Sequence, residues 1–123
     1  MSKSARSVFI FGLYLDILGI VLLVIPNILL GAFQLPSTNE VWIRVVGMLV
    51  FLLGIYYILA ARKEMIDFFQ WTVYLRSTVI FFFAVLVLFG YAKPLLMLFG
   101  VIDLLGAIWT GMQLRSSVKS VYE

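Results

Sequence analysis

Four long apolar runs, parted only by short polar connections, constrain this chain more than any other feature of it. They cover 8–33, 41–61, 68–92 and 94–114. A helix needs about 20 predominantly apolar residues to cross the hydrocarbon core of a bilayer, and each run supplies them. In lipid every backbone N–H and C=O must be satisfied within the chain, so only helices and closed barrels can span. The runs lack the alternation of barrel strands, and all four read as helices. Short connections set consecutive helices side by side in opposite directions. The expected fold is therefore all-α: a four-transmembrane-helix antiparallel bundle, one integral membrane domain over 1–123. Composition agrees, since a soluble domain of 123 residues with 64% hydrophobic content and a mean hydropathy of +1.14 would leave much apolar surface in water.

The connections carry local signals. In "IPN" (25–27), Pro26 removes a backbone donor and disfavours helical geometry at Ile25, so the first run kinks or ends there. "STNE" (37–40) has the spacing of a capping box, which predicts Ser37 as the start of the second membrane helix. "ARKEMIDFF" reads as an amphipathic continuation of the second or third helix. In "YAKP", Pro94 suits a first helical turn. The amino-terminal stretch "MSKSARSVFIFGLYLDILGIVLLVIP" begins as a signal peptide would. Its apolar run is too long and no A-x-A-like site follows, so it reads as a retained span. Lys3, Arg6, Arg62, Lys63, Arg115 and Lys119 gather at one end of the expected bundle, against Lys93 and Arg44 at the other. By the positive-inside rule both termini are then cytoplasmic. Trp42, Trp71, Tyr74, Tyr91 and Trp109 fall toward span ends, as an aromatic belt would place them.

Asp16, Arg44, Arg76 and Asp103 lie inside the apolar runs. A charge at a helix centre costs at least about 2.5 kcal/mol on insertion scales, and such residues face the bundle interior and find partners. At a rise of about 1.5 Å per residue, Asp16 lies roughly 12 Å and Arg76 roughly 8–12 Å from the cytoplasmic side. From the other side Arg44 lies roughly 5 Å deep and Asp103 roughly 13 Å. Depth therefore predicts two pairs, Asp16 with Arg76 and Asp103 with Arg44, serving either as structural ion pairs or as a ligand or proton site. Small residues share the faces of these charges: Gly12 and Gly19 near Asp16, Gly47 near Arg44, and Gly100, Gly106 and Ala107 near Asp103. They mark helix-packing faces. "DILGIV" (16–21) and "DLLGAI" (103–108) are alike, and "FG" precedes each. In so apolar an alphabet such a match arises by chance more readily than by ancestry.

The chain has no cysteine and no histidine. That removes disulfides, thiol catalysis, Cys/His zinc sites and His-ligated haem. No metal site, no cofactor and no catalytic residue is indicated, since nucleophile–base pairs and phosphate loops are lacking too. Ser77, Thr78 and Thr110 are expected to bond to helix carbonyls. The net charge of +3 follows from topology, not from nucleic-acid binding. The leading reading is a membrane-embedded accessory or small-ligand-binding protein. The alternative is an oligomeric proton-coupled small-molecule transporter or channel using Asp16 or Asp103, and an enzyme is the least favoured class. Candidate partners are the lipid bilayer, further copies of the chain or a larger membrane complex, and a quinone or lipid ligand.

"VIPNILLGAF" at the end of the first run, "WIRVVGMLVFLLGIYYILAAR" in the second, Arg76 early in the third and "DLLGAIWT" in the fourth together resemble the layout of DoxX-like and related small bacterial four-helix membrane proteins. The resemblance covers most of the chain. It implies a multi-pass protein of the bacterial cytoplasmic membrane and a link, in some relatives, to quinone or redox systems. It transfers no catalytic residue.

Overall fold

A computed structural model describes residues 1–122, with side chains described through Ser116; Lys119, counted above among the basic residues, lies outside the described residues in this sense. The described residues form helices and no strand: α1 Lys3–Val24, α2 Pro26–Ala32, α3 Trp42–Arg62, α4 Ile66–Leu88, a 3-10 turn Pro94–Leu96, and α5 Met97–Tyr122. Four of these segments, Lys3–Val24, Trp42–Arg62, Ile66–Leu88 and Pro94–Ser116, are long and apolar enough to cross a membrane.

The distribution of polarity is inverted relative to a soluble protein. Ser4, Ser7, Thr72, Arg76 and Thr110 are buried. Ile17, Leu49, Leu75, Phe81, Phe82 and Leu88 face outward. A soluble monomer does not expose apolar side chains on this scale, whereas lipid requires it. The chain is a small multi-pass membrane protein by this criterion as well as by span length.

Helix ends follow from local chemistry. Ser2 caps α1, its hydroxyl accepting from the Ala5 N–H at 3.1 Å. α1 ends at Val24, and Pro26 occupies the first turn of α2, where its missing N–H is no loss. The first apolar run is thus a membrane helix followed by a short second helix, as the proline suggested. Three helices close by one motif. The N–H pairs Leu35→Leu30 O and Gln34→Gly31 O, Met65→Ala60 O and Glu64→Ala61 O, and Tyr91→Leu86 O and Gly90→Val87 O are Schellman caps. Each puts its middle residue at positive φ: Gln34 at 58°, Glu64 at 52° and Gly90 at 80°. Only Gly90 is the residue type that favours this conformation.

Two connections depart from expectation. Ser37 does not start a helix; α3 begins at Trp42. The capping-box residues are drawn off because Asn27 clamps Thr38, accepting its N–H at 2.8 Å and donating to its carbonyl at 3.1 Å. "ARKEMIDFF" is not a continuous helix, because the Schellman cap at Glu64 reverses the chain between α3 and α4.

α1 packs chiefly on α3, α4 chiefly on α5, and α1 against α5 joins the two pairs. α3 and α4 touch little, although three residues separate them in sequence. The α1–α3 contact is made by glycines. A Cβ at Gly12 would stand 2.9 Å from the Gly54 carbonyl oxygen, and one at Gly19 would stand 2.7 Å from that of Gly47. The backbones therefore approach without side chains between them, as small residues permit in membranes. The main core cluster joins Ala5, Val8, Phe11 and Leu15 of α1 to Tyr57, Ala60 and Ala61 of α3 and Phe69 of α4.

Candidate functional site

Arg76 is the centre of the bundle's polar interior. It is 3% exposed and rises from α4 between α1, α3 and α5. Its Nε donates to the Thr72 carbonyl at 3.2 Å. Its Nη2 donates to Thr72 Oγ1 at 3.1 Å and Thr110 Oγ1 at 2.8 Å. Cζ lies 4.6 Å from the centre of the Phe11 ring and 5.7 Å from that of Tyr57. A desolvated cation over an aromatic face gains about 2 kcal/mol, which offsets part of the cost of burial.

The hydroxyls around it form a directed chain. Ser7 Oγ has one proton and donates it to the Ser4 carbonyl at 2.6 Å. The 2.8 Å contact between Ser7 Oγ and Thr110 Oγ1 must then use the Thr110 proton. Thr110 in turn accepts from Arg76, and Thr72 passes its own proton to the Phe69 carbonyl at 2.8 Å. Donors thus run outward from the guanidinium to backbone carbonyls of α1 and α4, so successive bonds polarise one another in the same sense. One part of the guanidinium stays out of this chain. Nη1 is buried and has no hydrogen-bond partner. It lies by Gly106, where a Cβ would stand 3.2 Å away.

Arg76 and Asp103 line a common half-open cavity of about 310 Å³ between α3 and α4, with Phe11, Tyr57, Phe68 and Trp71 as aromatic walls. Tyr57 and Phe68 meet edge to face, ring centres 5.4 Å apart. A second half-open cavity of about 360 Å³ adjoins it, lined by α1, α2, α3, Phe83 of α4 and the start of α5. Apart from Tyr14 and Asp103 its lining is aliphatic or phenyl. Leu15, Leu53 and Asp103 belong to the walls of both.

The structure brings Asp103 and Arg76 to one cavity and sets Asp16 and Arg44 elsewhere. Asp16 Oδ1 lies against Gly54 at the α1–α3 crossing and has no hydrogen-bond partner. Arg44 donates through Nη1 to the Leu23 carbonyl and, at 3.3 Å, to the Val24 carbonyl, covering the open end of α1. Neither Asp16 with Arg76 nor Asp103 with Arg44 makes a hydrogen bond among the described residues. Depth along the axis matched these residues, but helix rotation did not. α1 presents Phe11 to Arg76 and turns Asp16 toward α3.

The small residues near the charges are placed as packing faces require. Gly12, Gly19 and Gly47 make the α1–α3 contact, Gly100 meets Ile80, Gly106 meets Phe11, and Ala107 is fully buried. Ser77 and Thr78 bond to the carbonyls of Val73 and Leu75, as expected. Thr110 does not; it serves Arg76 and Ser7 instead. Sequence reasoning missed Ser7, Tyr57 and Gly54 as parts of this arrangement, whereas Thr72 shares a helix face with Arg76 four residues away. Gly54 had a signal, since its seven-residue spacing from Gly47 repeats that of Gly12 and Gly19.

Compared with protein-family models, curated proteins and solved structures, the chain matches none.

Proposed function

We propose that this membrane protein binds a small apolar molecule carrying a hydrogen-bond acceptor, such as a carbonyl, with Arg76 as the anchor. The supporting observation is the guanidinium that is 3% exposed, lines an aromatic cavity and keeps Nη1 without a partner. Buried donors without partners are costly in a low-dielectric interior, and a ligand acceptor that reaches Nη1 as the packing around Phe11 and Gly106 opens removes that cost. Aromatic walls suit a flat ring. The scant contact between α3 and α4 gives a lateral route from the lipid. A quinone or a lipid head group has this chemistry. Kinship with DoxX-like proteins and residence in a bacterial cytoplasmic membrane belong to the same proposal. So do an antiparallel helix order and cytoplasmic termini. Ser2 bonded to Glu64 and Ser7 bonded to Thr110 support the helix order by bringing the start of α1 to the α3–α4 turn and to α5; the basic residues at that end support cytoplasmic termini.

Trp71 lines the cavity and supplies the assay. With Trp42 and Trp109 replaced by Phe, a short-chain benzoquinone titrated into nanodiscs should quench Trp71 saturably. Arg76→Gln should weaken that binding at least tenfold. Linear quenching, identical in both proteins, would refute the reading.

Asp16 favours a second reading, an oligomeric proton-coupled transporter, because its buried Oδ1 is also without a partner. In that case a carbodiimide modifies Asp16 or Asp103 in a pH-dependent way. No modification at any pH removes this reading.

A further inference from the structure

We infer that the cavity beyond Asp103 is a tail channel, so that the ligand of the Arg76 site is a single-chain amphiphile whose chain runs inside the bundle. The inference rests on the binding reading above and adds the class of ligand. Three observations carry it. The two cavities are adjacent and share wall residues, Leu15, Leu53 and Asp103, so only these side chains stand between a molecule anchored at Arg76 and the second cavity. The lining residues change between the two, from the Arg76 guanidinium among aromatic rings to leucine, isoleucine, valine and phenylalanine side chains, with Asp103 at the boundary. The far part is half-open, and α2 and the stacked Phe33 and Phe99 rings, 4.1 Å apart, cover part of it, so a chain lying there is partly sheathed by protein.

Energetics define what the channel does. Lipid tails are as apolar as leucine side chains, so moving a chain from the bilayer into the channel adds little affinity. The channel acts through shape. It accommodates a chain that would otherwise meet the wall, and it fixes the orientation of the ring at Arg76. The competing arrangement leaves the ring at Arg76 and lets the chain exit between α3 and α4 into lipid.

A plug in the channel separates the two. Val50 lines the apolar cavity and not the Arg76 cavity. Two probes are titrated against Trp71 quenching, with concentrations expressed per lipid: a benzoquinone without a chain and one with a ten-carbon chain. In the unplugged protein both should bind within about threefold of each other. Val50→Phe should leave the ring-only probe unchanged and weaken the chain-bearing probe at least tenfold. A diazirine at the chain end should label the 22–35 segment in the unplugged protein, a readout that holds even if Val50→Phe fails to fold. Equal binding of both probes to the plugged protein, or diazirine labelling of lipid alone, overturns the channel and leaves the Arg76 site standing. Chain-dependent binding that ignores Arg76→Gln overturns the Arg76 site and leaves the channel. Failure of both probes to saturate overturns both.

Discussion

Replacing Thr110 by valine keeps the shape of a fully buried side chain and removes one hydroxyl. That hydroxyl is the better of the two acceptors of Arg76 Nη2, at 2.8 Å against 3.1 Å for Thr72 Oγ1. It is also the donor to Ser7 Oγ, which keeps its own bond to the Ser4 carbonyl when Thr110 is lost. The damage therefore falls mainly on the guanidinium. A hydrogen bond to a charged group contributes about 1.5–3 kcal/mol in soluble proteins. In membranes single interhelical bonds average about 0.6 and reach about 1.7 kcal/mol, because the dissociated helices find other partners. With a second bond left at Nη2, Thr110→Val should cost about 1–2 kcal/mol, or a factor of roughly 5–30 in the folding equilibrium. Reversible unfolding in mixed micelles with increasing dodecyl sulfate measures it. Thr110→Ser retains the hydroxyl and should lose less. In an Arg76→Leu background, where no guanidinium needs the acceptor, Thr110→Val should be nearly neutral. The reasoning fails if Thr110→Val matches the parent within about 0.3 kcal/mol, if Thr110→Ser is equally damaging, or if the Arg76→Leu background leaves the penalty intact.

Gly19→Ala and Gly31→Ala should move in opposite directions in the same assay. Helix propensity favours alanine at both by about 0.8–1 kcal/mol. A Cβ at Gly19 meets the Phe51 backbone nitrogen at 2.5 Å, whereas one at Gly31 meets nothing within 4 Å. Equal effects would count against the close α1–α3 crossing. The third prediction concerns acid. Hydrogen bonds from the Ser2 hydroxyl and Ser2 N–H, both 2.6 Å, hold the Glu64 carboxyl below its ordinary value of 4.5. A carboxyl depressed in the folded state contributes stability that is present above its unfolded value and lost as pH falls through its folded value. Parent stability should decline below about pH 4.5 over that window, and Glu64→Gln should flatten the decline. An unchanged acid limb in Glu64→Gln would show that the contact contributes nothing.

What could be read from the chain was what depends on neighbours in sequence. Pro26 ends α1 whatever surrounds it, because the missing N–H and the ring clash are local. The inner face of α5 was legible because Gly100, Gly106, Ala107 and Thr110 share one side of a helix with Asp103. The cap at Ser37 was misread because its competitor, Asn27, comes from ten residues earlier and acts only once the loop folds back. The reversals at Gln34 and Glu64 carry no glycine, so turn chemistry gave no warning there. For Glu64 the carboxylate contacts with Ser2 help hold the turn from across the chain.

The four spans and the presence of charges among them were determined by the sequence alone, because the demand of lipid for apolar length and satisfied backbone applies to each helix separately. The partners of those charges were decided by tertiary structure. Depth along a helix follows from residue number, but which face meets which neighbour depends on helix rotation and on which helices touch. α1 settles against α3 through Gly12, Gly19, Gly47 and Gly54. That contact carries Asp16 toward α3 and leaves Ser7 and Phe11 for Arg76 and Thr110. The buried arginine is thereby held by hydroxyls and aromatic rings, with Asp103 lining the same cavity and Nη1 without a hydrogen-bond partner.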